Sequence, residues 1–377
     1  LNISVYFNAI EKGLSMLLGF GEIMMRVAPR GFLRFRQALP GSVDVVFGGG
    51  EANVCGSLAV LGQPSRYLTA LPKHAIADTL VATLRGLGVD TDCILRSDSG
   101  RLGIYFLEAG ANQRSSTVIY DREYSAVSLT GPEQYDFDAA LVSVDRLHVT
   151  GITPSLSENA FLATLELVRT AKAKGVTVSC DLNFRKKLWR WQSGTDAPTL
   201  ARQCMSQILP YVDLLIGNEE DAEKVLGIRA RGTSVEQGQI DAEAYQQVAR
   251  QIHQQFPNIS QVAITLRESY SASHNNWGAM LFDATAEKAH FAPVDEQGVY
   301  RPYEIRNIVD RVGGGDSFAA GLIYALDSEE YADPAAAIGF AVAASCLKHS
   351  IPGDMNFATL AEIRALAAGI ASGRVQR

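Results

Sequence analysis

Three glycines running into an aspartate make the stretch of this chain best suited to chemistry: Asp310-Arg311-Val312-Gly313-Gly314-Gly315-Asp316-Ser317-Phe318-Ala319-Ala320-Gly321. Glycine permits a tight turn and close approach of a ligand to the backbone. The apolar spacing of Phe318, Leu322, Ile323 and Leu326 predicts a helix beginning at this turn. Its free N–H groups and positive dipole end would then face the ligand, an arrangement that suits phosphate. A carboxylate would repel a simple anion from that place. It fits if Asp316 takes a proton from a hydroxyl while the amides hold the charge growing on a transferred phosphoryl group. The alternative at this point is a glycine turn capped by Asp316.

A second glycine run, Phe47-Gly48-Gly49-Gly50-Glu51-Ala52-Asn53-Val54, opens a helix that continues to Leu61 and stops at Gly62. Gly49 could bring the backbone against a ligand, and Asn53 offers both a donor and an acceptor; a tightly packed helix start is the alternative. Three more polar clusters follow apolar runs: Asp181-Leu182-Asn183-Phe184-Arg185, Asn218-Glu219-Glu220-Asp221 and Thr265-Leu266-Arg267. Each alone could be a helix cap or a solvated turn.

The elements that must position these clusters are strands at 147–150, 176–181, 214–217 and 262–266, alternating with helices at 157–173, 199–209, 219–226 and 241–256. Such alternation predicts an α/β fold with a mostly parallel central sheet and helices on both faces. Ligands of such sheets bind beyond the C-terminal strand ends, where all these clusters fall. Residues 16–25 read as a buried first strand, 66–70 as another, and 279–282 with 288–291 as an edge hairpin. Helices are expected over 74–87, 313–326, 334–348 and 358–369. Strands at 101–108 and 115–120, with the irregular segment 27–46, predict a small second sheet. The division expected is a core of 16–26, 47–97 and 127–377, an inserted β lid of 27–46 and 98–126, and an N-terminal extension of 1–15.

The whole chain has 377 residues, 47% hydrophobic and 20% charged, enough for a large core. Its net charge of −7 argues against general binding to nucleic acid or to a membrane surface. No apolar run reaches the about 18 residues of a membrane span. The five scattered cysteines suggest reduced, buried thiols in the cytoplasm.

Gly48-Gly49 through Asn53 resembles the N-terminal signature of the ribokinase (PfkB) family of carbohydrate kinases, and Asp310 to Gly321 resembles its C-terminal signature. The likeness spans roughly residues 16–370. It implies a ribokinase-like fold, ATP and Mg2+ as cofactors, Asp316 as catalytic base and Gly313, Gly314 and Gly315 as the anion hole. The family's Asn-x-x-Glu motif, which orders the magnesium and phosphate water network, maps onto Asn218 to Asp221. Asp221 stands where the family has Glu, and either Asp221 or Glu220 would serve. Within the family the chain is most similar to 2-keto-3-deoxygluconate kinases. Arg26 stands where ribokinases tend to carry a sugar-binding Asp. The segments Arg101 to Tyr105, Tyr120 to Ala126, Asp181 to Trp189 and Leu347 to Asp354 resemble those of the sugar-acid kinases.

The resemblance thus implies a sugar acid and ATP as partners, with phosphorylation of a terminal primary hydroxyl. A planar carboxylate calls for Arg, which can hold both oxygens; Arg122 and Arg185 are the candidates, with salt-bridged surface arginines as the alternative. Tyr105 and Tyr120 could donate to keto and hydroxyl oxygens or simply pack. Thr265 is expected near the nucleotide phosphates. Arg267 replaces a usual glycine there and could itself reach them. A homo-oligomer is expected from the lid sheet. Three rivals stand beside this reading: a fructokinase or ribokinase type, a nucleotide-dependent oxidoreductase, and a catalytically silent sugar binder. The oxidoreductase fares worst, since Gly19-Phe20-Gly21-Glu22 does not continue into its glycine motif.

Overall fold

The computed structural model describes residues 15–229 and 242–370. The expected extension, apart from Ser15, lies outside the described residues, as does Asp241 at the start of the helix expected over 241–256.

In chain order the first strands are β1 (Leu17–Phe20), β2 (Met24–Ala28), β3 (Asp44–Gly48), β4 (Ser65–Leu68), β5 (Ala70–Pro72), β6 (Leu95–Ser97), β7 (Ile104–Glu108) and β8 (Thr117–Asp121). Then come β9 (Arg146–Thr150), β10 (Thr177–Asp181), β11 (Leu214–Gly217), β12 (Gln261–Ser271), β13 (His274–Asp283), β14 (Lys288–Ala292) and β15 (Tyr303–Ile305). Among the described residues, nine form one sheet in the order β14-β13-β12-β11-β10-β9-β1-β4, with β15 paired to β13. From β4 to β12 every pairing is parallel. β13 and β14 add the antiparallel edge.

The side chains of each strand alternate between two hydrophobic cores. Leu18 and Phe20 of β1 join Leu215 of β11 on the face covered by the helices Glu158–Ala173 and Ala197–Ile208. Leu17, Leu214 and Ile216 point the other way, to the helices Gly50–Leu61, Gly314–Leu326 and Pro334–Lys348. Burial on both faces explains why these strands read as unbroken apolar runs.

The run 16–25 is not one strand. It breaks at Gly21-Glu22-Ile23, so that β1 enters the main sheet and β2 a separate sheet ordered β3-β2-β7-β8. That second sheet begins at Met24 and ends its returning strand at Gly48, so Met24–Arg26 and Phe47–Gly48 belong to it rather than to the core. Its far end touches the main sheet. At the turn between β7 and β8, Asn112 accepts a hydrogen bond from Ala272 N (2.7 Å) and its own N–H donates to Ser273 Oγ (2.9 Å), at the tip of the β12–β13 hairpin.

Candidate active site

The helix Gly314–Leu326 starts where β2, the helix Gly50–Leu61 and the loop around Asp354 converge. Gly313 caps it with φ of 80°, a left-handed conformation. A Cβ there would lie 1.8 Å from the carbonyl oxygen of Asp354, so only glycine fits. At Gly315 a Cβ would meet nothing within 4 Å. The first amides of a helix have no partner within it and can bind an anion.

Asp316 lies in the first turn, half-buried. Its Oδ2 accepts a hydrogen bond from Asn53 Nδ2 at 2.6 Å, and Asn53 Oδ1 in turn accepts from Gly49 N at 3.2 Å. The second glycine signature thus holds the aspartate of the first, while the helix cap itself is Gly313, with no side-chain hydrogen bond. Burial is the main reason the Asp316 carboxyl is pushed up to about 6; Asn53 works against it, and the Asp354 charge adds to it. A carboxyl with that value is largely ionised at neutral pH and still able to accept a proton.

Behind it, Glu51 is fully buried. Its Oε1 accepts from Thr150 N, Thr150 Oγ1 and Thr153 Oγ1 at 3.1, 2.8 and 3.1 Å, whereas Oε2 has no partner among the described residues. Burial raises its carboxyl to about 7. Asp181, at the end of β10, is pushed well above the usual carboxylate range by burial and then by the charges of Asp221 and Asp316.

Arg185 follows that strand, exposed, donating to the Phe184 carbonyl at 3.1 Å. Among the described residues no carboxylate lies within ion-pair distance of it, yet its charge acts on Asp181, Asp221 and Asp316. It is therefore an exposed cation without a carboxylate partner among the described residues. Arg122 differs. It is buried against Glu22, an ion pair that leaves Nε and Nη2 of the arginine and both glutamate oxygens without an aligned hydrogen bond. Its guanidinium also lies 5.5 Å from the Tyr120 ring centroid. The alternative of a salt bridge is thus what the geometry contains at Arg122, though a buried one.

Tyr105 donates its hydroxyl proton to the Asp354 carboxylate, and its ring stands 6.4 Å from that of Tyr120. Asn218 Oδ1 accepts from Asp221 N (2.9 Å), while the Asp221 carboxylate accepts from Phe184 N (3.0 Å) and Asn218 N (3.3 Å). Asp221 is buried and Glu220 is exposed, so of the two it is Asp221 that is built into the strand ends. Thr265 is half-buried on β12 and Arg267 exposed two residues on. The charge of Arg267 reaches Arg311 and His349, at the start and side of the glycine loop.

Three groups at this site escaped the sequence reading although their stretches were quoted in it: Glu51, Asp310 and Asp354. Arg26, standing where ribokinases tend to carry a sugar-binding Asp, has two guanidinium nitrogens bound to Asp310 and Asp354 at 2.7 and 2.8 Å. Reading the glycine run for backbone freedom hid Glu51, and no local spacing links Arg26 to carboxylates near the other end of the chain.

A carboxylate in the first turn of a glycine-opened helix, with the charge of an exposed arginine acting on it beyond the strand ends, is an arrangement suited to phosphoryl transfer. Residues 15–358 match the family model of the pfkB family carbohydrate kinases, and the chain belongs to that family. It is 30% identical over 353 residues to a 2-dehydro-3-deoxygalactonokinase of Haloferax volcanii, covering 94% of this chain and 96% of that one. A solved 2-dehydro-3-deoxygluconokinase of Thermotoga maritima shares 42% identity and superposes with a TM-score of 0.84, over 94% of this chain and 99% of that one. A PfkB family carbohydrate kinase of Listeria grayi shares 31%, with a TM-score of 0.81 over 94% and 99%. The chain is a carbohydrate kinase with the ribokinase-like fold. No helix among the described residues is long and apolar enough to cross a membrane.

Proposed function

We propose that this kinase transfers the γ-phosphoryl group of ATP to the terminal primary hydroxyl of a 2-keto-3-deoxy sugar acid, with 2-keto-3-deoxygluconate and its galactonate epimer as the substrates to test first. The observation that carries the reading is that Asp316, held by Asn53, feels the charge of Arg185, which has no carboxylate within ion-pair distance among the described residues. The relatives named for these two sugar acids support it.

In this mechanism Arg185 holds the sugar carboxylate and places the primary hydroxyl against Asp316. Asp316 takes the hydroxyl proton as the oxygen attacks phosphorus, and ADP leaves. The amides at Gly313, Gly314 and Gly315 receive the equatorial oxygens, whose charge they stabilise without reorganising. Thr265 and Arg267 flank the nucleotide phosphates. Gly49, Tyr105 and Tyr120 line the sugar side, and Arg122 acts there together with Glu22 as a neutralised pair. The second sheet serves as a lid that excludes water, which would otherwise hydrolyse ATP.

The donor set also fits Mg2+. Burial, and then the charges of Asp221 and Asp316, raise the Asp181 carboxyl, while the described residues contain no group of three or more His, Cys, Asp or Glu side chains built to cage a metal. That combination suits an ion bound mostly through water and phosphate oxygens, with Asn218 and Asp221, and Glu220 at the rim, as its protein side. When bound, Mg2+ would neutralise the phosphate charge.

We assign the protein to the cytoplasm and to a homo-oligomer joined through the outward face of the lid, where Val45 and Ile119 are 51% and 55% exposed. A coupled ADP assay across sugar acids, fructose and ribose tests the activity. ATP turnover with the two sugar acids and little with the neutral sugars is expected; equal turnover with fructose or ribose would transfer the assignment to those kinases.

A further inference from the structure

Four charges are buried together between the lid and the glycine loop. Arg26 is 7% exposed, Asp310 8%, Asp354 4% and Lys348 0%. Arg26 Nη2 donates to Asp310 Oδ2 at 2.7 Å and Nη1 to Asp354 Oδ1 at 2.8 Å. Arg26 belongs to β2 and stands in register with Tyr105 of β7, whose hydroxyl donates to Asp354 Oδ2. Lys348 Nζ donates to the Ile351 carbonyl at 2.9 Å, and its charge acts on the same two carboxylates. The cluster is thus balanced: two cations, two anions.

The far side of the cluster is the catalytic loop. Asp310 Oδ1 accepts from Val312 N at 3.0 Å and Oδ2 from Gly353 N at 3.1 Å. The Asp354 carbonyl packs directly on Gly313. Gly313 O then receives the first helical hydrogen bond, from Ser317 N at 2.8 Å, one residue beyond Asp316. A single guanidinium therefore fixes both carboxylates that set the path from Asp310 to Asp316. Burying four charges costs desolvation that an apolar cluster of the same shape would not, so stability alone gives a poor account of it. What an apolar cluster lacks is direction: two donors at fixed angles, carried on one body and read by the other.

We propose that Arg26 is a positioning residue that makes the anion hole depend on the seated lid. With β2 and β7 in place, Arg26 and Tyr105 hold Asp310 and Asp354, and the amides of Gly313 to Gly315 point at the transferring phosphoryl group. When the lid strands withdraw, the brace is lost and the loop relaxes, so ATP without sugar meets an incomplete site. This rests on the kinase reading of Asp316, but it concerns the loop's orientation and not the identity of the sugar.

The test is Arg26→Lys, which keeps the charge but cannot reach both carboxylates with two fixed donors. Wild-type turnover with the sugar acid is the control for the kinase reading itself. The variant is expected to lose about 10- to 100-fold in kcat, the scale of a small misplacement of catalytic groups, with KM for the sugar acid and for ATP within about twofold of wild type. The ratio of sugar phosphorylation to sugar-free ATP hydrolysis should fall with it. Hydrogen exchange read at 312–316 should speed up together with exchange at 24–28. Wild-type kcat and ratio, or a change confined to KM for the sugar, or faster exchange in the lid strand alone, would overturn the proposal. Should Arg26→Lys prove too unstable to assay, Asp310→Asn removes the same contact from the loop side and carries the same expectations and the same overturning outcomes.

Discussion

A general base works only with its proton off, so the proposed role of Asp316 carries a pH requirement. Burial raises its carboxyl to about 6, so the competent fraction grows as pH rises through that value. The expected kcat/KM profile climbs about tenfold per pH unit below it and levels above. A flat profile from pH of about 5 upward would remove Asp316 as the titrating base. Asp316→Asn should keep sugar binding, measured calorimetrically, and lose at least about 100-fold in turnover, the scale of a lost general base. Arg185→Ala should raise KM for an acidic sugar far more than for a neutral one, because a charge-assisted contact is lost only with the acid. Equal effects would dismiss Arg185 as the carboxylate holder. Residue types alone carry these expectations. They did not carry the pairing of Arg122 with Glu22, since a guanidinium suited to a substrate carboxylate is suited equally to a protein one.

The glycine loop and the helix Gly50–Leu61 are the elements on which the site depends. Gly313→Ala meets a left-handed backbone and a carbonyl at 1.8 Å. The backbone strain alone is worth about 1–3 kcal/mol, and both melting temperature and turnover should fall; an unaffected enzyme would show that the loop has another way to close. In that second helix, Glu51 keeps its proton up to about 7 in the folded protein against an ordinary 4.5. The folded state therefore binds more protons than the unfolded one between these values, and stability declines as pH rises through that window. Glu51→Gln retains an acceptor for Thr150 and Thr153 and has no proton to lose. It should lessen the drop in melting temperature between about pH 5 and about pH 8; an undiminished drop by calorimetry would place that titration elsewhere. The strands of the main sheet were legible because burial on both faces writes a continuous apolar run. β12 and β13 outrun their expected lengths because the polar residues beyond Leu266 still pair, from Arg267 with Trp277 to Ser269 with Asn275. The first run looked like one strand because both of its halves are apolar, although they serve different sheets.

At the scale of the molecule, the ends of the chain are folded onto one another. Arg26 meets Asp310 and Asp354 across 284 and 328 positions, a relation no periodicity can announce. The outward face of the lid gives a further expectation. Sedimentation should find the wild type as an oligomer and Val45→Asp with Ile119→Asp at monomer mass; a wild-type monomer would refute the assigned interface. The fastening of Asn112 to Ala272 and Ser273 has a kinetic meaning of its own. Two hydrogen bonds hold the tip of the β7–β8 turn to the β12–β13 hairpin, together worth about 1–3 kcal/mol. The tip can lift while the ion cluster at the other end of the same strands stays shut. A gate so lightly bolted would stand ajar from roughly one part in six to roughly one in a hundred and sixty of the time, so phosphorylated product would leave through it without the catalytic loop being dismantled between turnovers.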